Sequence, residues 1–121
     1  GIALDNELGG YIADIEVTGS IHGHDYLAGA VGKNGPKSRD THSLMENIRV
    51  NVDIFGTGSE IAGLVILNGA TSEINYGPPT IINSQAYGNV EGKEKVSNFV
   101  FNDRAGVTED SNGTGNRTII D

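Results

Sequence analysis

The residues best equipped for chemistry are His22-Gly23-His24-Asp25. On an extended segment, side chains two apart share a face. Two imidazoles with Asp25 beside them, and His42 reaching in from a connector, could then hold zinc or copper. The positions that align with this pair further along the chain, 55/57 and 91/93, carry no His. The expected role is therefore a pair of exposed turn residues, and no metal is assigned. A second candidate is Asp110-Ser111-Asn112-Gly113-Thr114-Gly115-Asn116, with Asp121 in the twelfth place, which partly mimics a calcium loop. Thr in the fifth place and Asp rather than Glu in the twelfth depart from that pattern, and a polar connector is expected instead. Asp14, Glu16, Asp53, Glu60, Glu91 and Glu94 are scattered along the polar sides of strands rather than paired, as a hydrolytic carboxylate pair would need to be. Gly56-Thr57-Gly58-Ser59 lacks the lysine of a phosphate-cradling loop and reads as a turn. There is no cysteine, hence no disulfide, thiolate site or thiol nucleophile. No catalytic residue and no cofactor are assigned.

Composition narrows what could position such residues. Hydrophobic residues make up 36% of the 121, aromatic residues 6%, and 18 residues are Gly, a balance that suits short strands and tight turns better than helices. The net charge of -8 repels phosphate backbones and anionic lipid, so nucleic acid and membrane insertion are not expected. The longest apolar stretch, Ile61 to Leu67, is interrupted by Gly63 and is too short to span a bilayer as a helix.

The chain also repeats itself. Ile12 to Gly23, Met45 to Gly56 and Ile81 to Gly92 align without a gap, matching apolar sites 12/45/81, 17/50/86 and 21/54/90 and glycines 23/56/92. Each is followed by a second block, Ala28 to Gly35, Ala62 to Gly69 or Ser97 to Asp103. Gly1 to Asn6 matches Gly63 to Asn68, and Thr118-Ile119-Ile120-Asp121 matches Thr80-Ile81-Ile82-Asn83. The frame divides the chain into a partial unit 1–11, units 12–44, 45–80 and 81–117, and the start of a further unit at 118–121, as expected of a segment of a longer protein. Alternation at Ile15 and Val17, and at Ile48, Val50, Val52 and Ile54, is the period of half-buried strands. One unit cannot bury its own apolar row, whereas stacked units share a core. The predicted fold is all-β, a β-solenoid or parallel β-helix-like stack. Gly35 to Leu44, Gly69 to Thr80 and Arg104 to Arg117 are predicted to be loops between units.

Ile61-Ala62-Gly63-Leu64-Val65, Ala28-Gly29-Ala30-Val31-Gly32-Lys33-Asn34 and Asn83-Ser84-Gln85-Ala86-Tyr87-Gly88-Asn89-Val90-Glu91-Gly92 resemble the GLUG-type repeat of bacterial surface proteins. The third unit departs from it, with Asn98 in place of Gly and Phe99-Val100-Phe101 in place of small residues. Such repeats occur in adhesins and ahead of the protease domain in the streptococcal IgA1-protease family of zinc metallopeptidases. The resemblance implies an extracellular, cell-wall location and a scaffolding or substrate-positioning role. It also implies a protein partner, either host immunoglobulin A1 or neighbouring domains of the parent. An adhesin segment and a fragment of a β-helical polysaccharide depolymerase are the other readings. A protease of that family needs H-E-x-x-H, which this sequence lacks, so this segment is expected to be non-catalytic. The partner-facing residues are expected in the connectors: Tyr76, Pro78 and Pro79, whose stiffness limits the entropy lost on binding, with Lys37 and Arg39. The two glycosylation sequons, Asn112-Gly113-Thr114 and Asn116-Arg117-Thr118, are coincidental on the bacterial reading.

Overall fold

The computed structural model describes residues 1–7, 10–35, 43–69, 79–103 and 106–120. Among them there is no helix, so none that could cross a membrane. The chain opens with β1 (Ala3–Asn6) and then repeats a three-sided course. The first course is β2 (Tyr11–Gly23), β3 (Leu27–Ala28) and β4 (Val31–Asn34). The second is β5 (Leu44–Gly56), β6 (Ser59–Ala62) and β7 (Val65–Asn68). In the third, the first side splits into β8 (Thr80–Ile82), β9 (Gln85–Ala86) and β10 (Val90–Gly92), followed by β11 (Glu94–Ser97) and β12 (Val100–Asn102). The last described segment is β13 (Val107–Glu109), β14 (Asn112–Gly113) and β15 (Arg117–Ile119).

Every pairing is parallel and joins equivalent sides of successive courses. β2, β5, β8–β10 and β13–β15 form a long sheet, β3, β6 and β11 a short one, and β1, β4, β7 and β12 a closing one. In the long sheet Ile12 lies beside Met45 and Met45 beside Ile81. Val17, Val50 and Ala86 form a second column, and Ile21, Ile54 and Val90 a third, with neighbours about 4.8 Å apart. The aligned apolar sites are therefore physical neighbours.

The interval is less regular at the C-terminal side. Tyr11 and its partner Leu44 are 33 residues apart, Leu44 and Thr80 are 36 apart, and Thr80 and Val107 only 27. The segment 107–117 is thus strand and corner rather than a polar connector, and the partner of Thr80 is Val107 instead of Thr118. Thr118 pairs with Glu91. Serine hydroxyls link the courses at this corner. Ser84 Oγ accepts the Ile48 N–H at 3.1 Å, and Ser111 Oγ accepts the Ser84 N–H at 2.9 Å, each standing in for a carbonyl where the backbone turns away.

Buried spacing explains the corner in the long sheet. Met45 is buried, then Ile48, Val50, Val52 and Ile54, so the first step is three residues and the others two. The extra residue, Asn47, takes a left-handed φ of 55°, as do Asp14 (57°), Asn83 (47°) and Asp110 (48°) in the matching places. Asx residues enter this region at little cost, and each absorbs the phase shift that restores inward alternation. Inside, Met45, Ile48, Val50, Ile54, Ile61, Leu64 and Val65 are fully buried, each contributing roughly 1.5–3 kcal/mol relative to exposure. Ile12, Ile15, Val17 and Ile21 on β2 are only partly buried. Where the short sheet turns into the closing sheet, backbones touch across courses. A Cβ on Gly29 would fall 2.0 Å from Gly63 O, and one on Gly63 would fall 2.2 Å from Asn98 O. Asn98 replaces Gly because its side chain turns to the last course and donates to Gly115 O at 2.9 Å.

The closing sheet carries a buried polar column. Asn6 Nδ2 donates to Asn34 Oδ1 at 2.8 Å, Asn34 Nδ2 to Asn68 Oδ1 at 2.9 Å, and Asn68 Nδ2 to Asp103 Oδ1 at 2.7 Å. The second N–H of each amide crosses to the start of the long-sheet strand that follows its acceptor in the column: Leu44 O (3.2 Å), Thr80 O (3.2 Å) and Val107 O (3.3 Å). Asn34 and Asn68 are 0% exposed. Asn68→Ala would leave one N–H of the buried Asn34 amide without its acceptor and remove the donor to Val107 O, costing about 3 kcal/mol. Asp103→Asn, which keeps an acceptor at an exposed site, should change stability by less than about 1 kcal/mol. Denaturant midpoints at constant slope measure both, and equal effects would contradict the ladder.

Candidate interaction surface

The inward columns of the long sheet fix what faces outward. Between Ile48, Val50, Val52 and Ile54, the strand presents Arg49, Asn51, Asp53 and Phe55 to the exterior. The register sets Glu16, Arg49, Gln85 and Asn112 in one outer row, and His22, Phe55, Glu91 and Thr118 in another. Between these rows lie Tyr87 and Asn89. This face spans four courses.

Its side chains are tied to one another. Arg49 donates to Gln85 Oε1. Asp53 Oδ1 accepts the Asn89 N–H at 2.9 Å, and Asn89 Oδ1 accepts the Asn116 N–H at 3.0 Å, so the polar row is held by backbone as well as by side chains. Two aromatic groups rise from it: Tyr87, 44% exposed, and Phe55, 38% exposed and packed against His22 with ring centroids 4.9 Å apart. Ordered, half-exposed aromatic side chains flanked by short amides give a surface large contact area at small entropic cost.

The candidate metal residues do not gather. His22 lies on Phe55, while His24 sits around the corner, with Nδ1 2.7 Å from Thr57 Oγ1 and Nε2 3.6 Å from Asp25 Oδ2. Asp25 Oδ1 accepts the Ser59 N–H at 2.7 Å, making this cluster a corner tie. His42 lies outside the described residues. Among those described, no three His, Asp or Glu side chains are grouped to hold an ion. The calcium-loop candidate is β14 and its flanks, where Asn112 N–H and Thr114 N–H donate to Ser84 O and Ala86 O at 3.1 and 2.9 Å.

Of the expected partner-facing residues, Lys37, Arg39, Tyr76 and Pro78 lie outside the described residues. Pro79 is buried, and its carbonyl accepts the Val107 N–H at 2.9 Å, so it serves the sheet rather than an exposed contact. Lys33, at the edge of the first connector, is half-buried in an ion pair with Glu7 at 3.2 Å. Tyr87 and Phe55, which are not among the residues expected to face a partner, occupy polar-side positions of the alternating pattern.

A concavity of about 320 Å³ lies where β1, β3 and β4 meet and is lined by Ile2, Leu4, Tyr26, Ala28, Ala30 and Gly32. Tyr26 has a left-handed φ of 58°, in the column that continues with Glu60 and Lys95. Partial burial, then the nearby carboxylates Asp5 and Glu60, raise its phenol above the ordinary value. The neutral phenol is therefore favoured in the fold. Its contribution to stability is complete below about pH 10, the unfolded value, and is lost as pH rises through the higher folded value. Tyr26→Phe should accordingly shrink the fall in denaturant midpoint between about pH 9 and pH 11, and an unchanged fall would refute this account.

No protein-family model matches the chain, and no curated protein or solved structure matches it.

Proposed function

We propose that this chain is a non-catalytic β-solenoid module of a large extracellular bacterial surface protein, and that the outer face of its long sheet docks a protein partner. The observation that carries the reading is the continuous outer face, four courses wide, on which Tyr87 and Phe55 stand among side chains pinned by Asp53–Asn89–Asn116 hydrogen bonds. Support for the solenoid comes from three parallel sheets visited in a fixed cyclic order and from the amide column that recurs once per course. Such a face suits positioning better than chemistry, because Asp53 is committed to the Asn89 N–H and Glu16 and Glu91 stand in separate rows rather than as a pair. The GLUG-like strings favour a parent of the IgA1-protease type, in which this module would hold substrate for a distant zinc centre. The module is placed at the cell wall on the same ground.

Immunoglobulin A1 is the first probe. Saturable binding to the immobilised chain is expected, and Tyr87→Ala with Phe55→Ala should weaken it by about 2 kcal/mol per anchor, roughly thirtyfold each, with the denaturant midpoint preserved. Full binding by the double variant removes the outer face from the interaction. No binding by the folded wild-type chain removes the immunoglobulin reading and leaves a spacer between neighbouring domains.

A further inference from the structure

Asparagine followed by glycine occurs three times, at Asn34-Gly35, Asn68-Gly69 and Asn112-Gly113. In this dipeptide the glycine backbone nitrogen can attack the asparagine side-chain carbon with little hindrance, because no Cβ crowds the approach. The fold treats the three differently. Asn34 and Asn68 are fully buried, with each amide donating twice within the column. Their nucleophiles are also occupied: Gly35 N–H donates to Asn6 O and Gly69 N–H to Asn34 O, each at 3.0 Å. Ring closure at either would require breaking the core ladder.

Asn112 is exposed in the two-residue strand β14. The N–H groups of Asn112 and Thr114 point at β9 and are bonded there, so Gly113 N–H points the opposite way, where no further strand is paired among the described residues. No described residue forms a hydrogen bond with the Asn112 side chain. Nucleophile and electrophile are thus both uncommitted at this one pair.

We propose that Asn112-Gly113 is a self-modifying site, which deamidates in the folded protein while Asn34 and Asn68 persist. Gly113 N loses its proton and bonds to Asn112 Cγ. The bond from Cγ to the side-chain nitrogen breaks, and ammonia leaves with that proton. Water then opens the five-membered imide at one of its two carbonyls, giving aspartate or isoaspartate, with no change of oxidation state. Either product places a new negative charge in the outer row with Glu16, Arg49 and Gln85. The isoaspartate also inserts a main-chain carbon into β14, which shifts Thr114 out of register with Ala86. The inference stands apart from any partner of that face.

The test is peptide mapping by mass spectrometry during incubation of the folded chain in mildly alkaline buffer. The Asn112 peptide should convert to the product, in which NH is replaced by O, roughly tenfold or more faster than the Asn34 and Asn68 peptides, the gap reflecting the opening that the buried sites require. In denaturant all three should convert at similar rates. Asn112→Gln should abolish conversion in its own peptide and leave the others unchanged. Conversion of Asn34 or Asn68 as fast as Asn112 in the folded chain would overturn the proposal. So would an Asn112 that reacts only in denaturant.

Discussion

A carboxamide with both hydrogens and its oxygen satisfied can sit in an apolar interior, and one with any of them unpaired is expensive there. The column Asn6–Asn34–Asn68–Asp103 depends on that constraint. Each amide spends one hydrogen on the next course of its own sheet and the other on the first residue of the adjoining long side. Two alignments are therefore set at once, along the column and across the corner. A slip of one residue in the closing sheet would bury an aliphatic group against a carboxamide and turn an Asn toward solvent. The parallel pairing of Val31 with Val65 and of Leu44 with Thr80 is held in place by the same few atoms.

The corners add a second constraint. Asp14, Asn47, Asn83 and Asp110 each insert one residue of left-handed backbone, so that an inward row interrupted by the bend resumes in phase. Their side chains also meet, with Asn47 Nδ2 donating to Asp14 Oδ1 at 2.8 Å. At the opposite corner, Gly29 and Gly63 are required by backbone contact rather than by unusual φ, since a Cβ at either would strike a carbonyl oxygen. Asn98, next in this row, turns its side chain to the last described course, where Nδ2 donates to Gly115 O.

Much of this could be read in the residue string. Alternation through Ile48, Val50, Val52 and Ile54 foretold a strand buried on one face, and the aligned sites 12/45/81, 17/50/86 and 21/54/90 are neighbours in the long sheet. Other features could not be read there. Asn34 and Asn68 precede Gly and resemble turn residues, and nothing local tells an amide that caps a turn from one that pairs 34 residues away. The return from Thr80 to Val107 is short, and its apolar content is so low that 107–117 reads as a connector; the Ser111 hydroxyl that replaces a carbonyl there leaves no hydrophobic trace. Pro79 reads as a rigid, solvent-facing group, yet its burial depends on contacts distant in sequence. The outer face was legible as polar, but its coherence is a property of register, which composition does not carry.

Direction is the least obvious property of the amide column. Every donor points the same way, from one course to the next, and the run ends on Asp103, which accepts from Asn68 and, as a carboxylate, has no hydrogen to pass on. An Asn-bearing course spliced in anywhere upstream would receive one bond and give one, leaving the count balanced. A course added directly beyond Asp103 would inherit no such donor. The column is therefore one-sided: Asn-bearing courses can lengthen it from within, while its relay of donors ends on one carboxyl group.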